Sequence, residues 1–505
     1  MPKYIKTDKY QNNIFLTLSL DKQIMEGTFE HIIQYMVDNK IDMSAFEKKI
    51  KNDKTGRPAW DPKVMLKIIL FSYSRGIISS REIELFCREN MVMAALAENS
   101  IPDFTVIADF ISEMKEEIKG VFVNVLLVAS EMNLLDNTAF ALDGCKIKSN
   151  ASKEYSGKFS DLEKKAAKIE ERIKYLLDTH NENDKKMIIK PDEKIKETIA
   201  KLEKKAEKIK KFIRENRKKK GKRTEEIQSN ITDNDSAKMK TSHGAIQGYN
   251  GQALVDDKHQ VIVAAEVFGQ GSDNDLLSPM IKEAKDNFKS IGKDENYMKG
   301  KMVIADTGYF SETNLAEAEK NELDAYIPDQ LFRKRDLRFK DKNRFNPEKK
   351  KAKYTREDFV YEESKDIYIC KNGKELRRQG KEYKIKNWTY KRYVAKQSEC
   401  KTCEYRGDCL EKESTKRRVL MLQVRNGNRN ICEEMMTKID TPSGREIYSK
   451  RMQIVEPVFA NIRIHKKLNC FTLRGKEKVN IQWLLFCIVH NLGKIMKYGQ
   501  ILQSV

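Results

Sequence analysis

No stretch of the sequence approaches the run of about 18 apolar residues that a membrane-spanning helix requires. The opening residues, Met1-Pro-Lys-Tyr-Ile-Lys-Thr-Asp, contain no apolar core followed by a small-residue cleavage site, so neither export nor membrane insertion is expected. Cysteine is sparse: nine residues, an odd number, are scattered over 505 positions. That excludes a secreted disulfide framework and favours a reducing cytoplasm. Apolar residues make up 39% of the chain, below the roughly 45 to 50% of an average domain. Charge of both signs and 9% aromatics nevertheless argue against a disordered chain.

Basic charge is abundant. Lys and Arg number 97 against 76 Asp and Glu, a net charge of +21 with a pI near 9.3. An excess of this size points first to a polyanionic partner, nucleic acid. The length allows roughly two to four domains and a core large enough for an enzyme.

From about 20 to 135 the apolar positions recur at helical spacing in DKQIMEGTFEHIIQYMV, in DPKVMLKIILFSYSRGI and between Phe122 and Met132. Pro62 after Asp61 marks a helix start, and Ser79 or Ser80 a second one. Short helices joined by Gly and Ser turns suit either a helix-turn-helix-like module or an ordinary bundle. Near 138 the texture changes. TAFALDG reads as a buried strand ended by Asp-Gly, GYNGQALVDDKHQVIVAAEVF as a hairpin around Asp256 to His259, KMVIADTGYF as strand and turn, and SETNLAEAEKNE as a helix capped by Ser311. The result is a mixed α/β sheet.

Two segments interrupt it. Residues 155–228 carry Lys, Glu, Ile and Leu at helical spacing, broken around His180 to Pro191, and predict an antiparallel helical hairpin with a basic end, KKFIRENRKKKGKR. Residues 332–418 open on a run in which positions 333–356 hold 12 Lys or Arg against 3 Asp or Glu, interleaved with Phe339, Phe345 and Tyr354. Such a run suits a nucleic-acid-binding loop or a solvated one. The same segment holds Cys370, Cys400, Cys403 and Cys409, spaced C-x29-C-x2-C-x5-C. Thiolates bind zinc tetrahedrally, so these four are candidate ligands of a structural zinc, with four unrelated thiols as the alternative. Cys87, Cys432, Cys470 and Cys487 lie in apolar or helical contexts and read as packing residues.

Three acids are the most informative residues. Asp143 ends the apolar run FALD, Asp306 ends MVIAD, and Glu456 lies in the helical pattern YSKRMQIVEPVFANIRIHKK. Acids at the carboxyl ends of neighbouring strands converge on one sheet edge, where a helix can add a third. Close carboxylates repel unless cations join them, and two Mg²⁺ ions would relieve the repulsion and form the clamp used for displacement at phosphorus. On an unbroken helix Glu456 and Arg463 lie about 20° apart, with Tyr448 and Arg451 towards the same half. Pro457 would end, restart or kink that helix.

These segments resemble the DDE transposases of bacterial insertion sequences. DPKVMLKIILFSYSRGIISSREIE with IPDFTVIADF is similar to the family's N-terminal helical domain, ALDGCKIKSNASK to its first-Asp segment, GYNGQALVD to its second strand and VIADTGYFS to its second-Asp segment. YSKRMQIVEPVFANIRIHKKLNCFTLRGKEKV resembles the Tyr-Arg-Glu-Lys signature segment. The resemblance implies a ribonuclease H-like α/β domain of residues 136–154, 229–331 and 419–505. Around it come an N-terminal helical DNA-binding domain (1–135), a helical-hairpin insertion (155–228) and a basic, cysteine-rich insertion (332–418). It further implies Asp143, Asp306 and Glu456 as ligands of two Mg²⁺ or Mn²⁺ ions, and Tyr448 and Arg451 as phosphate-handling residues. Four residues separate Arg451 from Glu456 where the better-known pattern has three, and Arg463 stands in the place of the signature Lys, a role that Lys466 or Lys467 could share. The cysteine insertion is similar to that of one branch of the family. The implied activity is binding of terminal inverted repeats, cleavage at the element ends and strand transfer into target double-stranded DNA, by a homodimer on DNA in a bacterial cytoplasm, at the nucleoid. A ribonuclease H-like nuclease that cuts without joining, and an inactive DNA-binding descendant, are the rival readings.

Overall fold

The computed structural model describes residues 19–50, 58–136, 138–185, 193–221, 225–242, 244–336, 354–385, 388–410, 412, 414–424 and 430–499. Most of the basic run 333–356, with Phe339 and Phe345, lies outside the described residues. The chain forms two compact units, Met1–Gln330 with Met435–Val505, and Leu331–Glu434.

The first unit begins with helices α1 (Phe29–Asn39), α2 (Pro62–Ser74), α3 (Ser80–Glu89), α4 (Phe104–Glu113) and α5 (Lys115–Glu131). Asp61 caps α2 by accepting from the Lys63 N–H at 2.7 Å, with Pro62 in the first turn where its missing N–H costs nothing. Helix α2 is buried almost throughout, because α1 packs on one side and the terminal helix α11 (Lys476–Tyr498) on another. Helix α11 is long and apolar enough to cross a membrane by composition, but most of it is buried inside this unit, against α5, α2 and the sheet. Its apolarity is that of a core helix.

The sheet contains β1 (Ala139–Lys148), β2 (Ala237–Thr241), β3 (Gly244–Asp256), β4 (Ile262–Phe268), β5 (Met302–Ala305) and β6 (Asp324–Tyr326), in the order β2-β3-β1-β5-β6 with β4 paired to β3. Strands β1, β5 and β6 are parallel, and β1 to β3 and β3 to β4 antiparallel, so the sheet is mixed. Its parallel strands read as short apolar runs because both faces are covered. The crossover to β5 contains α8 (Leu277–Ser290), and α9 (Glu312–Lys320) follows β5, its start fixed by Ser311 accepting from Asn314 N–H. Between β1 and β2 lie α6 (Phe159–Lys185) and α7 (Glu193–Glu215). Phe159 at the start of α6 meets Phe212 at the end of α7, so the two run antiparallel around a small core of Leu162, Ala166, Ile209 and Ile231. Helix α6 continues to Lys185, into the stretch from His180 to Pro191 where a break is expected, and residues 186–192 of that stretch lie outside the described residues. Helix α10 (Pro442–Ala460) crosses beside β1 and β5.

One expectation fails here. Asp143 does not end its strand: it is the fifth of ten residues in β1. The apolar run stops at Leu142, yet Asp143 to Lys148 pair with Ala253 to Gly248 of the long strand β3. A partner strand supplying backbone hydrogen bonds carries the chain straight through Asp-Gly, which in isolation favours a turn.

The second unit is an antiparallel sheet of β7 (Val360–Glu362), β8 (Ile367–Ile369), β9 (Glu375–Arg378), β10 (Tyr383–Ile385), β11 (Trp388–Ala395) and β12 (Val419–Val424), in the order β10-β11-β9-β8-β7 with β12 on β11.

Candidate active site

The parallel register of β1 and β5 places the first two acids together. Pairing runs from Ala139 opposite Met302 to Leu142 opposite Ala305, and the next residue on each strand is an aspartate. Adjacent strands lie about 4.8 Å apart, so Asp143 and Asp306 start from neighbouring backbone positions. Asp306 leaves β5 to cap a short 3₁₀ turn, its Oδ1 accepting from Gly308 N–H at 2.7 Å.

Glu456 comes from α10 and is exposed. Pro457 neither ends nor restarts that helix, which runs from Pro442 to Ala460. Proline removes the N–H that would bond the carbonyl of Gln453, and the Gln260 side chain donates to that carbonyl instead, at 2.8 Å. The helix is not unbroken either: Asn461–His465 form a π-turn with Lys466 N–H bonded to Asn461 O. The 20° separation of Glu456 and Arg463 expected for a regular helix therefore does not apply, though both side chains line the same cleft.

That cleft has a volume of about 1520 Å³, and Asp143, Asp306 and Glu456 all line it. A fourth acid joins them, Asp273, from the loop between β4 and α8. Its Oδ1 accepts from the amides of Asn250 (2.7 Å) and Gln252 (3.0 Å) on β3, and Gln252 Oε1 in turn accepts from the Tyr309 hydroxyl in the turn that follows Asp306. A Cβ at Gly308 would sit 2.9 Å from Asp306 Oδ1 and 3.1 Å from Asp273 Oδ2, so any side chain there would push both carboxylates from their positions. Sequence reasoning missed Asp273 because it follows no apolar run. Its one local signal is the cluster GQGSDND before a helix.

Electrostatics tie the acids to α10. Arg451 Nη1 meets Asp143 Oδ2 at 2.6 Å with both groups largely buried, and Arg451 Nε has no hydrogen-bond partner among the described residues. Burial pushes the Asp143 carboxyl up to about 6, against the pull of Arg451 and the Gly144 N–H, and neighbouring Asp306 adds to the rise. Asp273 is also raised, chiefly by burial, with its amide donors opposing and Asp306 reinforcing.

Five basic side chains line the cleft alongside the acids: Lys146, Lys148, Lys153, Lys240 and Arg463, the last reaching the Cys145 sulfur. Tyr448 lies one turn before Arg451 on α10, close enough to act electrostatically on its guanidinium. Lys466 and Lys467 do not line the cleft. Lys466 turns to the Phe29 ring, 5.8 Å from its centre, where burial and Arg75 lower its ammonium to about 8. Lys467, with φ of 57°, packs against Gly76.

In the second unit Cys370, Cys400 and Cys409 border the aromatic core of Phe359, Tyr368 and Tyr393. Burial raises the Cys409 thiol, and Cys400, Cys403 and Cys370 lie near enough to raise it further. Asn372 Nδ2 approaches Cys403 Sγ at 3.6 Å. Of the cysteines expected to be packing residues, Cys87 and Cys487 are buried, and Cys432 and Cys470 half-buried. Among the described residues no three His, Cys, Asp or Glu side chains are gathered into a ready-made metal cage. Carboxylates are the donor type a hard divalent ion takes, and Arg451 opposite Asp143 offsets their repulsion until such an ion is present.

No curated protein matches the chain. Two family models do. The model described as "Transposase domain (DUF772)" matches residues 18–113, and "Transposase DDE domain" matches 369–496, a span that includes the four cysteines, Tyr448, Arg451, Glu456 and Arg463. A transposase-domain match near each end, with a mixed α/β sheet between them, supports a DDE transposase of an insertion sequence.

Proposed function

We propose that this transposase binds the terminal inverted repeats of its element, cleaves DNA there and joins the freed 3′-hydroxyls to target DNA, on a ribonuclease H-like catalytic domain. The observation that carries the reading is the single cleft in which Asp143, Asp306 and Glu456 face five cations. Carboxylates alone would repel a phosphodiester and cations alone would merely bind it; a wall of each suits phosphoryl transfer. Asp143, Asp306 and Glu456 would hold two Mg²⁺ or Mn²⁺ ions, which when bound activate the attacking oxygen and stabilise the leaving one. Lys146, Lys148, Lys153 and Lys240 hold the DNA backbone in the cleft, and Arg463 orients the phosphate beside Glu456. Arg451 holds Asp143 in place and screens it from Asp306, so that the acids stay together before metal arrives. Tyr448 extends the same helix face towards the DNA. Cys370, Cys400, Cys403 and Cys409 would hold a structural zinc that supports the second unit and takes no part in the chemistry. The protein acts in the cytoplasm as a dimer on DNA.

The test is a duplex carrying one element end, incubated with purified protein and Mg²⁺. Cleavage that EDTA abolishes, and joining when pre-cleaved ends and plasmid are supplied, would establish the reading. Cleavage without joining would make it a nuclease. Asp143→Asn, Asp306→Asn and Glu456→Gln should each keep end binding and lose cleavage by at least about 10³-fold, since each removes a charge that is needed most in the transition state. Full activity in any one variant would remove that acid from the site.

A further inference from the structure

Three ammonium groups converge on one phenol at the root of the helix pair. Lys165 of α6 and Lys205 and Lys208 of α7 lie 5.8, 5.4 and 5.9 Å from the ring centre of Tyr155. Among the described residues no carboxylate forms a salt bridge with any of the three, although other lysines of the pair are matched, as Lys210 is to Glu170 and Lys201 to Glu197. Lys165 also donates to the backbone oxygen of Glu154, which fixes it beside the ring.

A ring face attracts one cation by about 0.5–1 kcal/mol at an exposed site. Three cations gathered on one ring repel each other over distances comparable with the Debye length, about 8 Å at physiological salt. The phenol therefore does not account for the third lysine, and a polyanion does. The cluster is also firmly placed. Tyr155 packs on the small core of Phe159, Leu162, Ile209 and Phe212, and Ile231 N–H bonds its backbone carbonyl, so both its side chain and its backbone are anchored.

Its position in the chain supplies the direction. The residues lining the catalytic cleft run through Lys148, Ser149, Ala151 and Lys153, two positions before Tyr155. A DNA backbone lying across the cleft lysines and following this segment outward meets the three ammoniums next. We propose that Tyr155, Lys165, Lys205 and Lys208 form a phosphodiester-binding site that holds the DNA flanking the reacting bond, outside the cleft. The inference rests on the transposase reading for the identity of the polyanion, and on the geometry of the four side chains for the site itself.

The experiment compares two duplexes and three proteins. One duplex is just long enough to fill the cleft, and the other extends about one helical turn beyond it. The proteins are wild type, the triple variant Lys165→Gln/Lys205→Gln/Lys208→Gln and the triple variant with Arg at the same positions, each checked for folding by circular dichroism. Loss of three phosphate contacts should weaken binding of the longer duplex by on the order of tenfold or more, and lower the slope of log affinity against log salt by about 2 to 3. The arginine variant should restore both. Binding of the short duplex should separate the contributions, with the loss confined to the longer DNA. Equal affinity and equal salt slope in wild type and the glutamine variant would overturn the site, as would an equal loss on both lengths. Wild type that binds DNA but never cuts it would sink the transposase reading and leave this site standing, whereas wild type that binds neither duplex would sink both.

Discussion

The two compact units hold themselves together by different means. In the first, β1 and β5 contribute the continuous apolar runs AFAL and MVIA, and Trp483 of α11 lies fully buried over Gly251, with its Nε1–H donating to Gln252 O at 3.0 Å. In the second, the buried cluster is small and rich in tyrosine: Phe359, Tyr368, Leu376, Tyr393, Ala395 and Leu420. Asp366, in the left-handed region with φ of 49°, collects the hydroxyls of Tyr361 and Tyr393 and the guanidinium of Arg378. A unit of this kind has little apolar area to bury, so a metal staple at its four cysteines would matter far more than any side chain does to the first unit.

The strongest way to break this contrast is Cys403→Ser. Structural zinc sites can contribute on the order of 10 kcal/mol or more to folding. The variant should lose about one zinc per chain and gain proteolytic cuts within 360–415, while the first unit melts as before. Elemental analysis with limited proteolysis measures this, and a well-reduced wild type without zinc would leave the second unit resting on its tyrosine network alone.

Next in size is Trp483→Ala, which should cost the first unit about 3–5 kcal/mol through lost burial and the cavity left behind. Denaturant melting should register it, and because Trp483 also stacks on Phe459 of the cleft wall, catalysis should fall as well. An unchanged midpoint would mean that α11 is not the core helix described above.

Asp273→Ala should cost about 1–3 kcal/mol, the penalty for leaving the buried amides of Asn250 and Gln252 without an acceptor. Because Gln252 holds Tyr309, the turn carrying Asp306 should loosen and cleavage should fall more than binding. Asp273→Asn keeps one oxygen and should recover part of both losses. Equal losses in the two variants would show that the charge, not the acceptor, is what matters.

The last effect is one of pH. His490 is buried between Gln260 O (2.9 Å) and Asn461 Oδ1 (3.2 Å), and burial lowers its imidazole from 6.5 to about 3. The unfolded chain takes up the proton first as pH falls, so the stabilisation is complete above about 6.5 and is lost progressively between 6.5 and 3. Melting temperatures of the first unit should decline over that window, and His490→Gln should flatten the decline. An identical slope in the variant would assign the effect to the carboxylates.

Much of this was legible in the sequence. Asp61 and Ser311 announce their helices because caps act within four residues, and the apolar runs before Asp143 and Asp306 announce strands because a sheet covered on both faces needs them. The basic excess and the three acids suggest the proposed chemistry for the same reason: charge and side-chain type are properties of residues, not of contacts. Three further features were decided by tertiary structure. Asp143 continues its strand because β3 lies alongside to pair with it. Pro457 stays within α10 because Gln260, nearly 200 residues away in sequence, satisfies the carbonyl that proline leaves open. Asp273 enters the cleft, and Lys466 and Lys467 leave it for the helices around Phe29 and Gly76, because the fold brings distant segments side by side. Hydrogen bonds and ion pairs across such separations depend on which surfaces meet, and no local pattern records that.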